Sequence, residues 1–181
     1  MRPSILTILA TSLILAAAPA ARGQRATAVA KLDVDQFRSG WYEIARYPAR
    51  REKTCVSDGR VLYSLGDKKN TFQMVTSCQI KNGNWDWWDK DGKLDDKGSG
   101  RLRVRWLIWP LTKAYWVVAA APDYSWMLVG TPNHRSLWVL SKTPEMSAEV
   151  LTEAKAQATA QGFDTAKLVP IKQQGPLEAQ Y

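Results

Sequence analysis

The feature that most constrains the fold of this chain is a series of short apolar or alternating segments, each ended by a turn sequence. Residues 101–106 (RLRVRW) show the pattern clearly, because arginine alternates with an apolar residue at the period of a half-buried strand. Asn82-Gly83 indicates a hairpin turn between two segments, and residues 89–92 predict another turn. Eight segments follow this rule, at 41–47, 60–65, 71–80, 84–88, 100–108, 114–121, 125–130 and 137–141. They predict an antiparallel barrel or sandwich.

One later segment has a different character. Residues 147–161 are rich in Ala, Glu, Gln and Lys, which favour helix. Ser147 is placed to cap the start of this helix, and Gly162 is placed to end it. Residues 168–172 predict a ninth short strand. The helix has a narrow apolar stripe, so we expect it to pack against the outside of the sheet.

The first twenty residues resemble an export signal rather than part of the fold. Arg2 precedes an uncharged run over 5–18, and Ala18-Pro19-Ala20 offers the small residues that a signal peptidase reads. The run is shorter than the roughly 20 residues that a membrane helix needs. We therefore expect a signal peptide over 1–20, a flexible segment over 21–31, and a protein that is periplasmic, associated with an outer membrane, or secreted. The first Cys is at position 55, so no N-terminal lipid anchor is expected.

Two cysteines and one histidine limit the chemistry of the chain. In an oxidising compartment, two cysteines usually pair, so Cys55 and Cys78 predict one disulfide, with two buried free thiols as the alternative. Zinc sites usually take four Cys or His ligands, or three and a water. No metal and no cofactor are therefore expected, and His134 is expected to be exposed in a turn.

Three sequence blocks resemble the conserved blocks of the lipocalin family. They are Ser39–Arg46 (SGWYEIAR), Ala121–Tyr124 (APDY) and Trp138–Pro144 (WVLSKTP), and they occur in the family's order. The resemblance is greatest to the bacterial lipocalin and apolipoprotein D branch and covers residues 32–174, which leaves 175–181 as a tail. It implies an eight-stranded antiparallel up-and-down β-barrel with one C-terminal α-helix packed outside.

The resemblance also implies structural roles for four residues. Trp41 is expected to lie across the closed end of the barrel, with the family's stacking arginine replaced here by Lys142. Lysine lacks the planar group that stacks well on aromatic rings, so a weaker stack is expected. Asp123 and Tyr124 belong to the second block, in which Pro122 replaces the family's threonine.

The same resemblance implies a pocket inside the barrel. Apolipoprotein D points to Tyr63, Thr76, Tyr115 and Trp138 as lining residues, and alternation along the strands adds Met74, Trp106 and Val117. Such a set suits a greasy ligand with one polar end. The alternative is that these side chains only fill a core.

The net charge of +8 includes a basic cluster near the predicted mouth. Its members are Arg46, Arg50, Arg51 and Lys53, on the first strand and the loop after it, which lies across the mouth in the family. A cationic mouth suits a carboxylate or phosphate headgroup and an anionic membrane surface, although a solvated loop is the alternative. Arg101, Arg103 and Arg105 are expected on an outer face. Trp85 and Trp87 are expected to share a face opposite Trp88.

These observations predict an exported, non-enzymatic carrier for a small hydrophobic or amphipathic ligand. The resemblance implies a fatty acid or lysophospholipid, and a role in lipid storage, transport or maintenance in a bacterial envelope. Two alternatives stay open: an enzyme acting on a lipid or isoprenoid inside the barrel, for which Glu43 is an isolated candidate, and a pigment or haem carrier. An exported chain without a recognition motif is not expected to bind nucleic acid. Barrel closure removes free sheet edges, which favours a monomer or weak dimer.

Overall fold

The computed structural model describes residues 25–49, 51–105, 107–108 and 110–175, without the side chains of Arg51 and Glu52. The predicted signal peptide and most of the predicted tail lie outside the described residues. The elements are α1 (Val34–Phe37), β1 (Gly40–Arg46), β2 (Cys55–Leu65), β3 (Thr71–Ile80), β4 (Trp85–Lys93), β5 (Arg101–Arg105), β6 (Thr112–Ala120), β7 (Trp126–Gly130), β8 (Leu137–Ser141), α2 (Ala148–Ala160) and β9 (Val169–Pro170).

Strands β1 to β8 form a closed antiparallel ring. Each strand pairs with the next along the chain, and β1 pairs with both β2 and β8. The two-residue strand β9 adds to the end of β1. This arrangement confirms the predicted eight-stranded up-and-down barrel with one helix after it.

Because the strands alternate in direction, the loops divide between two ends of the barrel. The β1–β2, β3–β4, β5–β6 and β7–β8 connections lie at one end, which we call the mouth. Helix α1 and the other connections lie at the opposite end, which we call the closed end. Because barrel strands tilt relative to the barrel axis, the height of an inward-facing residue depends both on its position along its strand and on which strand carries it.

Two apolar cores hold the barrel together. One fills the lower barrel and includes Phe37, Trp41 and Tyr63. The other lies between the barrel wall and α2, where Ala154, Ala158 and Phe163 pack against outward-facing residues of the sheet. Helix α2 begins after the Ser147 cap, as predicted, and Gly162 follows it at φ +87°, a conformation that favours glycine.

His134 lies beneath the end of α2 and is half-buried rather than exposed, so that prediction is wrong. Its Nε2 is 2.9 Å from the carbonyl oxygen of Gln161, and its ring lies 4.8 Å from that of Phe163. Because helix ends leave backbone carbonyl groups without intrahelical partners, the imidazole is held there by a cap contact that the turn sequence does not indicate.

Strand β4 corrects one sequence prediction. Residues 89–92 are not a turn, because β4 runs through them as far as Lys93. Gly92 lies opposite Phe72, and a Cβ atom at Gly92 would stand 2.1 Å from the Phe72 ring. Glycine is therefore required here by a close approach inside the barrel, not by a turn.

The segment before α1 lies against the barrel. Ala26 and Ala28 are buried, and the Val29 backbone bonds to Val117 and Gly100. Among the described residues, no helix is long and apolar enough to cross a membrane.

The predicted disulfide is confirmed, and it joins Cys55 at the start of β2 to Cys78 on β3. We expect no thiol labelling of the native protein until a reductant is added. Reduction should lower the free energy of unfolding by about 3 kcal/mol, because the bond joins residues 23 positions apart and so restricts the unfolded chain. Denaturant unfolding with and without reductant measures this change, and prompt labelling of two thiols without reductant would contradict the prediction.

Candidate functional site

The strand register places the predicted pocket residues of the described chain inside the barrel. Met74 lies opposite Tyr63, and Thr76 lies opposite Val61. Tyr115 lies opposite Leu102. Val129 on β7 pairs with Val117 on β6 and with Trp138 on β8. Trp106 lies outside the described residues.

Burial of the inward-facing residues decreases from the closed end toward the mouth. At the bottom, Trp41 and Val117 are fully buried, and Tyr63 is 1% exposed. Met74 and Tyr115 retain slightly more accessible surface, and Trp138 is only half-buried. The lower barrel is therefore packed solid, and the accessible interior wall lies in the upper half.

Two tyrosines mark the upper limit of the packed region. The hydroxyl groups of Tyr63 and Tyr115 are 2.5 Å apart. Below them, the Phe37 ring from α1 stacks on Tyr63 with centroids 4.3 Å apart, and above them the Trp138 ring lies 5.5 Å from that of Tyr115. Burial raises the pKa of Tyr63 well above its ordinary value, so this hydroxyl stays protonated and can serve as a donor.

The closed end contains the contact that the resemblance implies. The Lys142 ammonium lies 3.8 Å from the centre of the Trp41 ring, and it donates hydrogen bonds to the Gln36 carbonyl and the Ser39 hydroxyl. The Trp41 indole N–H donates to the Phe37 carbonyl at 3.1 Å. Burial lowers the pKa of Lys142 from 10.5 to about 8.

Lys142 should make stability depend on pH above neutrality. Between pH 8 and 10.5 the unfolded chain binds more protons at this position than the folded chain, so stability rises with pH. The rise should be about 1 kcal/mol, because the partly solvated ammonium is screened by water. Lys142→Arg, which stays protonated, should abolish it. Denaturant unfolding of both proteins from pH 7 to 10 tests this, and parallel curves would contradict it.

Asp123 and Tyr124 lie in the turn between β6 and β7 at the closed end. The Asp123 carboxylate accepts a hydrogen bond from the Ser125 amide, and the hydrogen bonds from Ser125 lower its pKa. Tyr124 adopts φ +53°, and its hydroxyl accepts a hydrogen bond from the Asp33 amide. The turn therefore ties the sheet to the segment that leads into α1.

Of the predicted mouth cluster, Arg46 faces the interior and is engaged in an ion pair. Its Nη1 is 2.9 Å from Glu43 Oε2, and both side chains are almost fully buried. Glu43 lies opposite Leu140, and Arg46 lies opposite Trp138, so both point into the barrel. Lys53 is exposed, while Arg50 and the Arg51 side chain lie outside the described residues.

The outward face of the sheet matches the sequence prediction. Trp85 and Trp87 lie opposite Gln79 and Ser77 on the outside, while Trp88 lies opposite Thr76 and faces inward. The arginines of β5 also face outward: Arg105 pairs with Asp91 at 2.8 Å, and Arg101 lies over the Trp116 ring at 5.4 Å.

Sequence reasoning missed two features at the mouth. The first is an exposed apolar loop between β5 and β6, where Leu107, Ile108 and Leu111 are 71%, 63% and 53% exposed. An extended strand over 100–108 was expected there, but β5 ends at Arg105. The second is a pair of inward-facing lysines, Lys90 opposite Met74 and Lys113 opposite Val104.

The family model for a lipocalin-like domain matches residues 32–173 of the chain. Temperature-induced lipocalin-1 of Arabidopsis thaliana is 31% identical over 145 residues, which are 76% of this chain and 77% of the relative. The outer membrane lipoprotein Blc of Escherichia coli K12 is 30% identical over 176 residues, which are 96% of this chain and 97% of the relative.

Solved structures share the fold at lower identity. Insecticyanin of the tobacco hornworm Manduca sexta superposes with a TM-score of 0.63 at 16% identity, covering 85% of this chain and 86% of that one. The cockroach allergen Per a 4 gives a TM-score of 0.66 at 15% identity, covering 87% and 98%.

Proposed function

The chain belongs to the lipocalin family, and from this premise we propose that it is a non-enzymatic carrier of a small amphipathic lipid. The observation that carries the proposal is the change in burial along the barrel interior. The lower half is filled by α1 and the aromatic floor, while Trp138, Trp88 and Val104 retain accessible surface above it. A barrel of eight strands can hold one small ligand in such a space.

The chemistry of the wall favours a fatty acid or lysophospholipid. Met74, Val104 and Trp138 provide apolar contact for an acyl chain. The polar groups predicted on this wall are three hydroxyl groups, those of Tyr63, Thr76 and Tyr115. Sites of this composition bury an apolar body and orient one polar end. The relatives named outer membrane lipoproteins support an exported protein of the cell envelope, in which such lipids are abundant.

The enzyme and pigment alternatives receive less support from the site. Glu43, the candidate catalytic carboxylate, is neutralised by Arg46 at 2.9 Å, and a general acid or base needs a reachable substrate proton. His134, the only histidine, lies outside the barrel beneath α2, far from a position in which it could ligate haem in the interior.

Titration of the mature protein with oleic acid or a lysophospholipid tests the carrier proposal. Binding should change the tryptophan fluorescence at micromolar ligand, because Trp88 and Trp138 face the upper interior. Trp138→Phe should reduce the signal, whereas Trp87→Phe, on the outer face, should leave the ligand-dependent change in place. Organic extraction and mass spectrometry of protein from its own host identify the resident molecule. Absence of any fluorescence change with both lipids, together with a lipid-free extract, would overturn the proposal.

We further propose that the mouth contacts an anionic membrane. Leu107, Ile108 and Leu111 form an exposed apolar loop at this end. The mouth loops 47–54, 81–84, 106–111 and 131–136 carry five Arg or Lys residues and one Glu. The closed-end loops 66–70, 94–100, 121–125 and 142–147 carry four basic and five acidic residues. Apolar side chains within a basic surface suit the interface of an anionic bilayer.

Cosedimentation with vesicles tests the membrane contact. Wild-type protein should bind vesicles that contain phosphatidylglycerol more strongly than vesicles of phosphatidylcholine alone. The variant Leu107→Ser/Ile108→Ser should bind about tenfold more weakly, because it loses most of the apolar area of the loop. Leu65→Ser, an exposed apolar position where β2 ends at the closed end, is the matched control. Equal sedimentation of both variants would contradict the assignment of this loop.

A further inference from the structure

Lys90 and Lys113 face the interior of the barrel near its mouth. Lys90 lies directly opposite Met74, and Met74 belongs to the interior core, so both side chains leave the sheet on the inner face. Lys113 lies opposite Val104, which packs against the same core. Only β5 separates the strands that carry the two lysines, a backbone spacing of about 10 Å.

The charge of Lys90 acts on the Lys113 ammonium. The pKa of Lys113 is lowered, first by burial and second by the charge of Lys90. Lys90 is half-buried, and the Lys113 side chain retains accessible surface, so a ligand entering through the mouth meets both. A region of the interior wall with two like charges favours an anion placed between them.

Within the described ranges, the other charged side chains that we place on the inner face lie at different positions. Arg46 is engaged by Glu43 in the buried ion pair. Asp86 faces the same side of β4 as Lys90 but stands four residues nearer the mouth, about 13 Å along the strand. The positive region therefore lies below the rim, with Lys113 two residues nearer the mouth than Tyr115 on β6.

We propose that Lys90 and Lys113 form the headgroup site of the barrel and select an amphiphile with an anionic carboxylate or phosphate. This proposal rests on the proposed carrier function and adds to it the charge of the ligand. The acyl chain contacts the apolar wall, and the anionic end accepts hydrogen bonds from the two ammonium groups. Hydrogen bonds between charged groups are stronger than those between neutral groups, so the lysines provide selectivity that the apolar wall cannot.

A comparison of oleic acid with oleyl alcohol separates the contribution of headgroup charge to binding from that of the acyl chain, because the two molecules share the chain and differ in charge. Wild-type protein should bind the acid at least tenfold more tightly than the alcohol, measured by tryptophan fluorescence or dye displacement. In Lys90→Met/Lys113→Met, the Kd for the acid should rise about 10- to 100-fold, while the Kd for the alcohol should stay within about threefold. Lys93→Met, on the outward face of the same strand, should retain the wild-type preference.

Charge reversal and a phosphate ligand complete the test. Lys90→Glu/Lys113→Glu should bind oleylamine more tightly than oleic acid, a gain that a damaged barrel would not produce. Lysophosphatidic acid tests the phosphate against the carboxylate, and tighter binding of either one identifies the preferred headgroup. Equal affinity of the wild-type protein for acid and alcohol, or an unchanged acid preference in both double variants, would overturn the headgroup site. Failure of the wild-type protein to bind acid and alcohol alike would instead overturn the carrier function.

Discussion

Replacement of Trp41 by Ala should lower the free energy of unfolding by about 3–5 kcal/mol, the usual cost of removing a buried tryptophan. The side chain is fully buried at the closed end of the barrel. It also donates a hydrogen bond to the Phe37 carbonyl and carries the Lys142 ammonium on its ring face. Truncation therefore removes packing, one hydrogen bond and one cation–π contact together.

Denaturant unfolding measures this loss. Trp87→Ala is the matched control, because Trp87 is 44% exposed on the outer face, and its removal should cost far less. Since Phe37 connects α1 to the Tyr63 ring at 4.3 Å, we also expect the Trp41 variant to loosen the aromatic floor and to bind hydrophobic dyes. A denaturant midpoint equal to that of the wild-type protein would contradict the role of Trp41 at the closed end.

The fold could be predicted because apolar and polar residues alternate along several strands with the two-residue period of a β-strand. The predicted segments 71–80 and 137–141 agree with β3 and β8 in full, and the predicted helix differs from α2 by one residue at each end. An antiparallel barrel with one packed face on each strand produces alternation directly. The contact of Trp41 with Lys142 followed from the family blocks, since no local pattern relates residues 101 positions apart.

The headgroup site was hidden by the apparent turn at residues 89–92. Asp-Gly usually marks a turn, but here Gly92 makes room for the Phe72 ring on the neighbouring strand. That cause is a contact between distant parts of the chain, which a single sequence does not display. Once β4 continues through Gly92, Lys90 becomes an interior position, on the same wall of the barrel as Lys113.

The loop after β5 was missed for a related reason. Residues 106–108 continue the apolar pattern of the strand before them, so the pattern alone places them in the sheet. The structure ends β5 at Arg105, which pairs with Thr112 at the start of β6. Leu107 and Ile108 are left outside the hydrogen-bonded ladder and exposed. Apolar residues that face a core and apolar residues that face a membrane are of the same types. Only their position in the structure distinguishes the two cases.

The buried ion pair inside the barrel leads to the second large effect. Arg46→Met should destabilise the protein by about 3–5 kcal/mol, because it removes the guanidinium that neutralises the buried Glu43 carboxylate. Glu43 and Arg46 are almost fully buried and 2.9 Å apart, and a Cβ atom at Gly59 would lie 2.7 Å from Glu43 Oε2. The closeness of the β2 backbone gives the carboxylate little space in which to move toward water.

The double variant Glu43→Gln/Arg46→Met separates the cost of an unpaired charge from the loss of packing. It removes both charges, so we expect it to recover all but about 1 kcal/mol of the wild-type stability, while each single variant stays below it. Arg101→Met, a solvated arginine on the outer face, is the control and should change stability by less than about 1 kcal/mol. If the loss in the free energy of unfolding of the double variant equalled the sum of the losses of the two single variants, the two groups would act independently. The interior would then tolerate a lone charge at this height.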